Sequence, residues 1–176
     1  MSKYDELRAA FSSYRDAEIQ FVQENQALAL LIVHGLRDYL EMPKSFRRKE
    51  GSTTYDQSYT PFFSVDEDGN TEEESFFEDA LSHLTDGSFK FAFGVILERA
   101  EGDLPKKNLI LNVECMRRGD KVNVDVSGRA LEVTFDGKNC PEIDSVHEMI
   151  FSQVMEWLQH RPGDGHGFSK IGFVVR

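Results

Sequence analysis

Several groups of side chains in this 176-residue sequence could do chemistry, and the densest is a run of carboxylates. Residues 61–86 hold Asp66, Glu67, Asp68, Glu72, Glu73, Glu74, Glu78, Asp79 and Asp86, and no Lys or Arg. The whole chain has 31 acids and 20 bases, a net charge of −11, so this one segment carries most of the imbalance. A one-sided field attracts basic proteins or metal cations and repels nucleic acid. Ser64, Asp66, Asp68 and Gly69 fall where an EF-hand loop has its first ligands and its glycine, but Ser75 stands where the bidentate Glu belongs. No metal site is expected from this pattern. Acids in the first turn of a helix meet its positive dipole end, which accounts for a few of them but not for nine without a balancing base.

A second group lies on the strands that follow. A four-residue turn at Arg117–Asp120 sets Asn112 opposite Asp125 and Glu114 opposite Asn123. A turn at Gly128-Arg129 then sets Asp125 opposite Glu132 and Lys121 opposite Asp136. Two facing carboxylates destabilise a sheet, yet such a pair can hold a cation or share a proton for acid–base work. Asn112, Glu114, Asp125 and Glu132 are therefore a candidate sheet-face site, set against the plainer reading of a solvated outer face.

The remaining candidates are thinner. His160, Asp164 and His166 surround flexible glycines but lack the fourth ligand of a closed zinc site. Cys140, beside Pro141 at the start of a helix, is the one plausible nucleophile, and His147 lies two turns away from it. There is no GxSxG elbow, and Gly163–Gly167 precedes a strand, whereas nucleotide loops follow one. A basic knot of Lys44, Arg47, Arg48 and Lys49 beside Phe46 is too small a footprint for nucleic acid and is expected to pair with acids of its own or a twin chain. No catalytic residue and no cofactor is assigned.

The elements that must position these residues are legible from periodicity. The first 42 residues form a long helix with apolar side chains at Tyr4, Leu7, Phe11, Tyr14, Phe21, Leu28, Ile32, Leu36 and Tyr39, close to a heptad seam, with Glu18 and Asn25 at two seam positions. At about 57 Å it outruns a domain of this size. Either it breaks near Glu24–Gln26, or one half projects or dimerises. Ala27–Val33 is apolar all round and should be buried. Residues 43–60 read as a loop and 53–65 as one irregular strand, with a turn at Asp68–Asn70. Thr71 and Glu74 make a capping box for a short helix burying Phe76, Phe77, Ala80, Leu81 and Leu84. A β-meander follows, alternating at Phe89–Leu97, Leu109–Cys115, Val122–Val126 and Leu131–Phe135. Pro141 opens a helix with a Val146, Met149, Ile150, Val154, Trp157, Leu158 stripe, and Ile171–Val175 reads as a last strand. Ala92 and Gly94 leave room on the outer face for a ligand or a close-packed helix.

The reading is one α+β domain over 1–176: an antiparallel meander packed by a long N-terminal helix and a C-terminal amphipathic helix, with the body at 43–176. There is no signal peptide or membrane-length apolar run, and the two cysteines, Cys115 and Cys140, read as reduced thiols of a cytoplasmic protein. The function expected is a non-enzymatic protein-binding module of inhibitor, immunity or chaperone-like type. It presents Asp66, Glu67, Asp68, Glu72, Glu73, Glu74, Glu78 and Asp79 to a basic protein partner, and a homodimer through the first helix is the expected assembly. An enzyme or ligand binder using the sheet face is the alternative, and a DNA mimic ranks below both.

Overall fold

The computed structural model describes residues 2–102 and 106–159. The chain is α+β. Helix α1 (Lys3–Tyr39) leads into a separate two-stranded hairpin, β1 (Ser45–Glu50) and β2 (Thr53–Ser58). The main sheet comprises β3 (Phe62–Val65), β4 (Thr71–Glu73), β6 (Ser88–Leu97), β7 (Lys107–Arg118), β8 (Lys121–Val126) and β9 (Arg129–Thr134). Its order is β4-β3-β6-β7-β8-β9, with β5 (Ser82–His83) also pairing β6. A one-turn helix, α2 (Phe77–Ala80), precedes β5, and α3 (Ile143–Gln159) closes the described chain. Every strand pairing is antiparallel. Among the described residues no helix is long and apolar enough to cross a membrane.

Alternation decides which face of the sheet is buried. Phe89, Phe91, Phe93, Val95, Leu109, Leu111, Cys115, Val122, Val124 and Val126 point to one side and are almost wholly buried. Leu28, Ile32, Val33 and Leu36 of α1 and Val146, Ile150 and Val154 of α3 cover that side. Among the described residues the opposite side carries a small apolar patch, Phe63, Ala92 and Ile110 with Val65. The space above Gly94 is taken: an added Cβ would lie 2.2 Å from Asn108 Oδ1 and 3.0 Å from Pro61 Cγ. The Asn108 and Pro61 side chains fill it.

Helix α1 runs unbroken, capped by Ser2, whose hydroxyl accepts from the Asp5 backbone N–H while the Asp5 carboxylate accepts from that of Ser2. Every residue from Ser2 to Gln20 is exposed, and burial begins at Phe21. Of the two expected outcomes, a break at Glu24–Gln26 does not occur and the first half projects, because Glu24 and Asn25 are held by the body. Glu24 Oε2 accepts from Arg117 Nη1 at 2.8 Å, and Asn25, fully buried, has Nδ2 at 3.3 Å from His83 Nδ1. Asn25 therefore serves its own chain's core.

Four other expectations are corrected. The stretch 43–60 is a hairpin with a Gly51 turn at φ +61, and the irregular strand divides into β2 and β3 around Tyr59–Pro61. Thr71 opens strand β4 opposite Val65, not a helix. The local hydrogen bonds of the β3–β4 turn win there: Asp66 accepts from Asn70 N at 2.7 Å and from its Nδ2 at 2.8 Å, with Gly69 at φ +82. In α2 only Ala80 is buried, with Leu81 just after it, while Phe76 and Leu84 are exposed.

The fourth correction is the meander's register, which is shifted by two residues at both turns. Gly119-Asp120 is a two-residue turn with positive φ at Gly119, and Ser127-Gly128 has positive φ at both residues, +50° and +90°. These are the primed geometries whose twist matches that of the flanking strands. Ser127, a non-glycine at positive φ, hides this from the sequence. The expected final strand Ile171–Val175 and the His160, Asp164, His166 group lie outside the described residues.

Candidate functional site: an acidic groove and edge

The new register rearranges the sheet-face carboxylates. Glu114 now stands opposite Asp125, and Glu132 opposite Asn123, so the expected Asp125–Glu132 pairing is not present. Asn112 lies two residues along β7 from Glu114, beside the Ser127 turn, whose backbone N–H donates to the Asn112 carbonyl at 2.8 Å. One row crosses the outer face: Ser82, Lys90, Glu114, Asp125, Ala130. Within it Lys90 Nζ is 3.2 Å from Glu114 Oε2, which offsets the like-charge opposition on one side. Asp125 Oδ1 accepts from Gly128 N at 2.8 Å, fastening the turn.

The two groups that the sequence presents separately meet here. The β3–β4 turn overhangs the outer face, and a groove of about 650 Å³ runs between them. Asp66 and Glu67 line it from the turn, and Lys90, Asn112, Glu114 and Asp125 from the sheet. Asn112 Oδ1 is buried without a hydrogen-bond partner among the described residues. Glu132 is not part of this groove: it lines a smaller one with Met116, Arg118, Lys121 and Asn123.

The other acids continue along the sheet edge. Asp68, Glu72, Glu73, Glu78 and Asp79 are exposed, and Glu74 is half-buried. Glu74 accepts from Ser64 Oγ at 2.6 Å, and Glu73 from Gln57 Nε2 at 3.1 Å. Gln57 Oε1 in turn accepts from Arg48 at 2.9 Å, so one polar side chain bridges the basic hairpin and the acidic edge. Among the described residues, neither Lys44, Arg47, Arg48 or Lys49 nor any of the nine acids of residues 61–86 is in an ion pair. The ion pairs among the described residues lie elsewhere. The expected pairing of the basic knot with its own chain's acids therefore does not form. Hydrogen bonds from Asn70 hold the Asp66 carboxyl below its usual range, and those from Ser88 do the same for Asp86. Both stay charged well into the acid range.

The nucleophile candidate fails on chemistry. Cys140 is buried, and burial pushes its thiol up, away from the thiolate. Cys115 is fully buried and pushed further in the same direction. His147 is buried between the helices with Nε2 3.2 Å from the Leu31 carbonyl, a packing role. Among the described residues no cluster of three or more His, Cys, Asp or Glu is arranged to hold a metal ion. No family model, no curated protein and no solved structure matches this chain.

Proposed function

We propose that the chain is a protein-binding module of the cytoplasm, of inhibitor, immunity or chaperone-like type, whose acidic groove and edge receive a basic partner protein. The observation that carries this reading is that, among the described residues, none of the nine carboxylates of residues 61–86 is in an ion pair, and local hydrogen bonds account for only four of them, Asp66, Glu73, Glu74 and Asp86. Only Glu78 and Asp79 sit in the first turn of a helix, and a helix dipole favours such acids by about 0.3–1 kcal/mol each. The others occupy a turn, a strand edge and connecting loops, and Glu67, Asp68 and Glu72 have no side-chain partner among the described residues to offset repulsion from their neighbours.

The partner's chemistry follows from the groove. Asp66 and Glu67 of the turn and Glu114 and Asp125 of the sheet line the same groove. Acceptors on both the turn and the sheet suit a Lys or Arg side chain, and Arg fits best because its planar fork satisfies two acceptors at once. The exposed acids of the edge steer the approach, which speeds association more than it deepens affinity.

Charge reversal tests this reading. Glu67→Lys combined with Glu72→Lys and Glu73→Lys should abolish capture of a lysine- and arginine-rich protein from host lysate. High salt should release that protein from the wild type, since screening acts over about 10 Å at 0.1 M. Equal capture by wild type and variant would overturn the proposal. A sheet-face enzyme would instead keep its turnover in this variant and lose it on Glu114→Gln with Asp125→Asn.

A further inference from the structure

We propose that the projecting half of α1 pairs with the same segment of a second copy, antiparallel, making the chain a homodimer. Tyr4, Leu7, Phe11 and Tyr14 are each 64–68% exposed and fall on one heptad seam of a helix that is solvent-exposed from Ser2 to Gln20. Further along the same seam, Leu28 and Ile32 are fully buried against the chain's own sheet. One continuous stripe is thus covered by the body in its second half and bare in its first.

Sterics and charge together select the occupant and its direction. The body occupies the seam side of α1 beyond Phe21, so a parallel partner helix would run into it within a turn. An antiparallel partner that sets Tyr4 against Phe21, Leu7 against Glu18 and Phe11 against Tyr14 of the second copy overlaps the bare segment, roughly 27 Å long, and ends at the half-buried Phe21. Its own body then lies beyond the far end. In a parallel pair Glu18 would face Glu18 of its copy inside the seam, and Lys3 would flank Arg8, both like-charged contacts. The antiparallel pair sets Glu18 beside Arg8 of the second copy and its own Arg15, so this carboxylate lies between the two guanidinium groups that approach on that flank. The intrahelical Arg15–Glu18 pair at 2.6 Å lies on that same flank. The bare aromatic and aliphatic side chains of two copies amount to roughly 1,000 Å² of apolar surface, at the lower limit of specific interfaces, so the dimer is reversible.

Sedimentation of the full chain across concentration reads the assembly, and cross-linking reads the direction. The wild type should move from one to two chain masses as concentration rises. Phe11→Glu should weaken the dimer by on the order of a hundredfold while leaving the thermal midpoint of the monomer unchanged, because Phe11 touches nothing in the body. A short bis-maleimide should join Leu7→Cys to Glu18→Cys in a mixture of the two variants and join neither variant to itself. The native thiols are buried, and wild type is the control. A wild type that stays monomeric at every concentration would overturn the proposal. So would self-linking of the single variants, which marks a parallel pair.

Discussion

Glu24 of α1 and Arg117 of β7 form an ion pair at 2.8 Å, at the level where the helix leaves the body. Both side chains are mostly shielded, and the Arg117 guanidinium lies 5.3 Å from the Phe21 ring centroid and 5.5 Å from that of Phe135. Gly137 makes room for the pair, since a Cβ there would sit 2.8 Å from Glu24 Cδ. This clamp sets the boundary between the packed and the projecting halves of α1. Arg117→Ala should therefore cost about 1–3 kcal/mol in urea unfolding, because it strands a shielded carboxylate and removes the stacking. It should also raise hydrogen exchange over residues 21–28 specifically. An unchanged midpoint would mean the helix is fixed by its apolar face alone.

Gly35 and His147 are a second close fit between the helices. A Cβ on Gly35 would lie 2.6 Å from His147 Cε1, and the ring is locked by the Leu31 carbonyl. Gly35→Ala should destabilise by about 1–3 kcal/mol despite alanine's better helix propensity. A stabilised variant, read by thermal unfolding, would show that the helices can separate without loss.

The pH dependence follows from three desolvated histidines, of which His147 is buried and His34 and His83 keep part of their surface exposed. Desolvation lowers the pKa of His147, and likewise those of His34 and His83, below the usual 6.5. The fold therefore favours neutral imidazole, and the unfolded chain takes up protons first as pH falls. Stability should be full above about pH 6.5 and decline below it, at up to roughly 1.4 kcal/mol per pH unit for His147. His147→Gln should flatten part of that slope. A wild-type midpoint that is constant from pH 7 to 5 would contradict the assignment.

Glu114 opposite Asp125 gives the sheet-face test. Asp125→Asn keeps the oxygen that accepts from Gly128 and removes the like-charge opposition. Stability should rise by about 0.2–1 kcal/mol in denaturant unfolding, while capture of a basic partner weakens. A fall in stability would mean that the Lys90 ammonium already shares its charge between both carboxylates.

The sequence makes most of the architecture legible and the site only in pieces. Strict alternation in Phe89–Leu97 and Val122–Val126 and the stripe of α3 leave one answer each, because burying one face of a sheet admits no other phase. The unbroken α1 was one of two open readings, decided by Glu24 and Asn25 finding partners ninety-three and fifty-eight residues away. Thr71–Glu74 shows a local signal losing: a sound capping pattern yields to a hairpin fixed by Asp66–Asn70 and by Phe62 and Phe63. The register slipped at two turns, because Gly119-Asp120 is tighter than the expected four-residue turn and Ser127 adopts a conformation that favours glycine. With it went the correct partner of Asp125. That residues 66–67 and 112–125 share one groove is a matter of strand order, which no spacing reveals.

Site-specific photocrosslinking in the host tests the acidic surface most directly. A photoreactive side chain at Ser75, exposed and uncharged at the acidic edge, is compared with one at Lys138, exposed beyond β9. The account predicts a covalent adduct to a basic protein from position 75, absent from position 138 and lost when Glu72→Lys and Glu73→Lys are added. An adduct formed equally from both positions, or one from position 75 that survives the charge reversal, would contradict it.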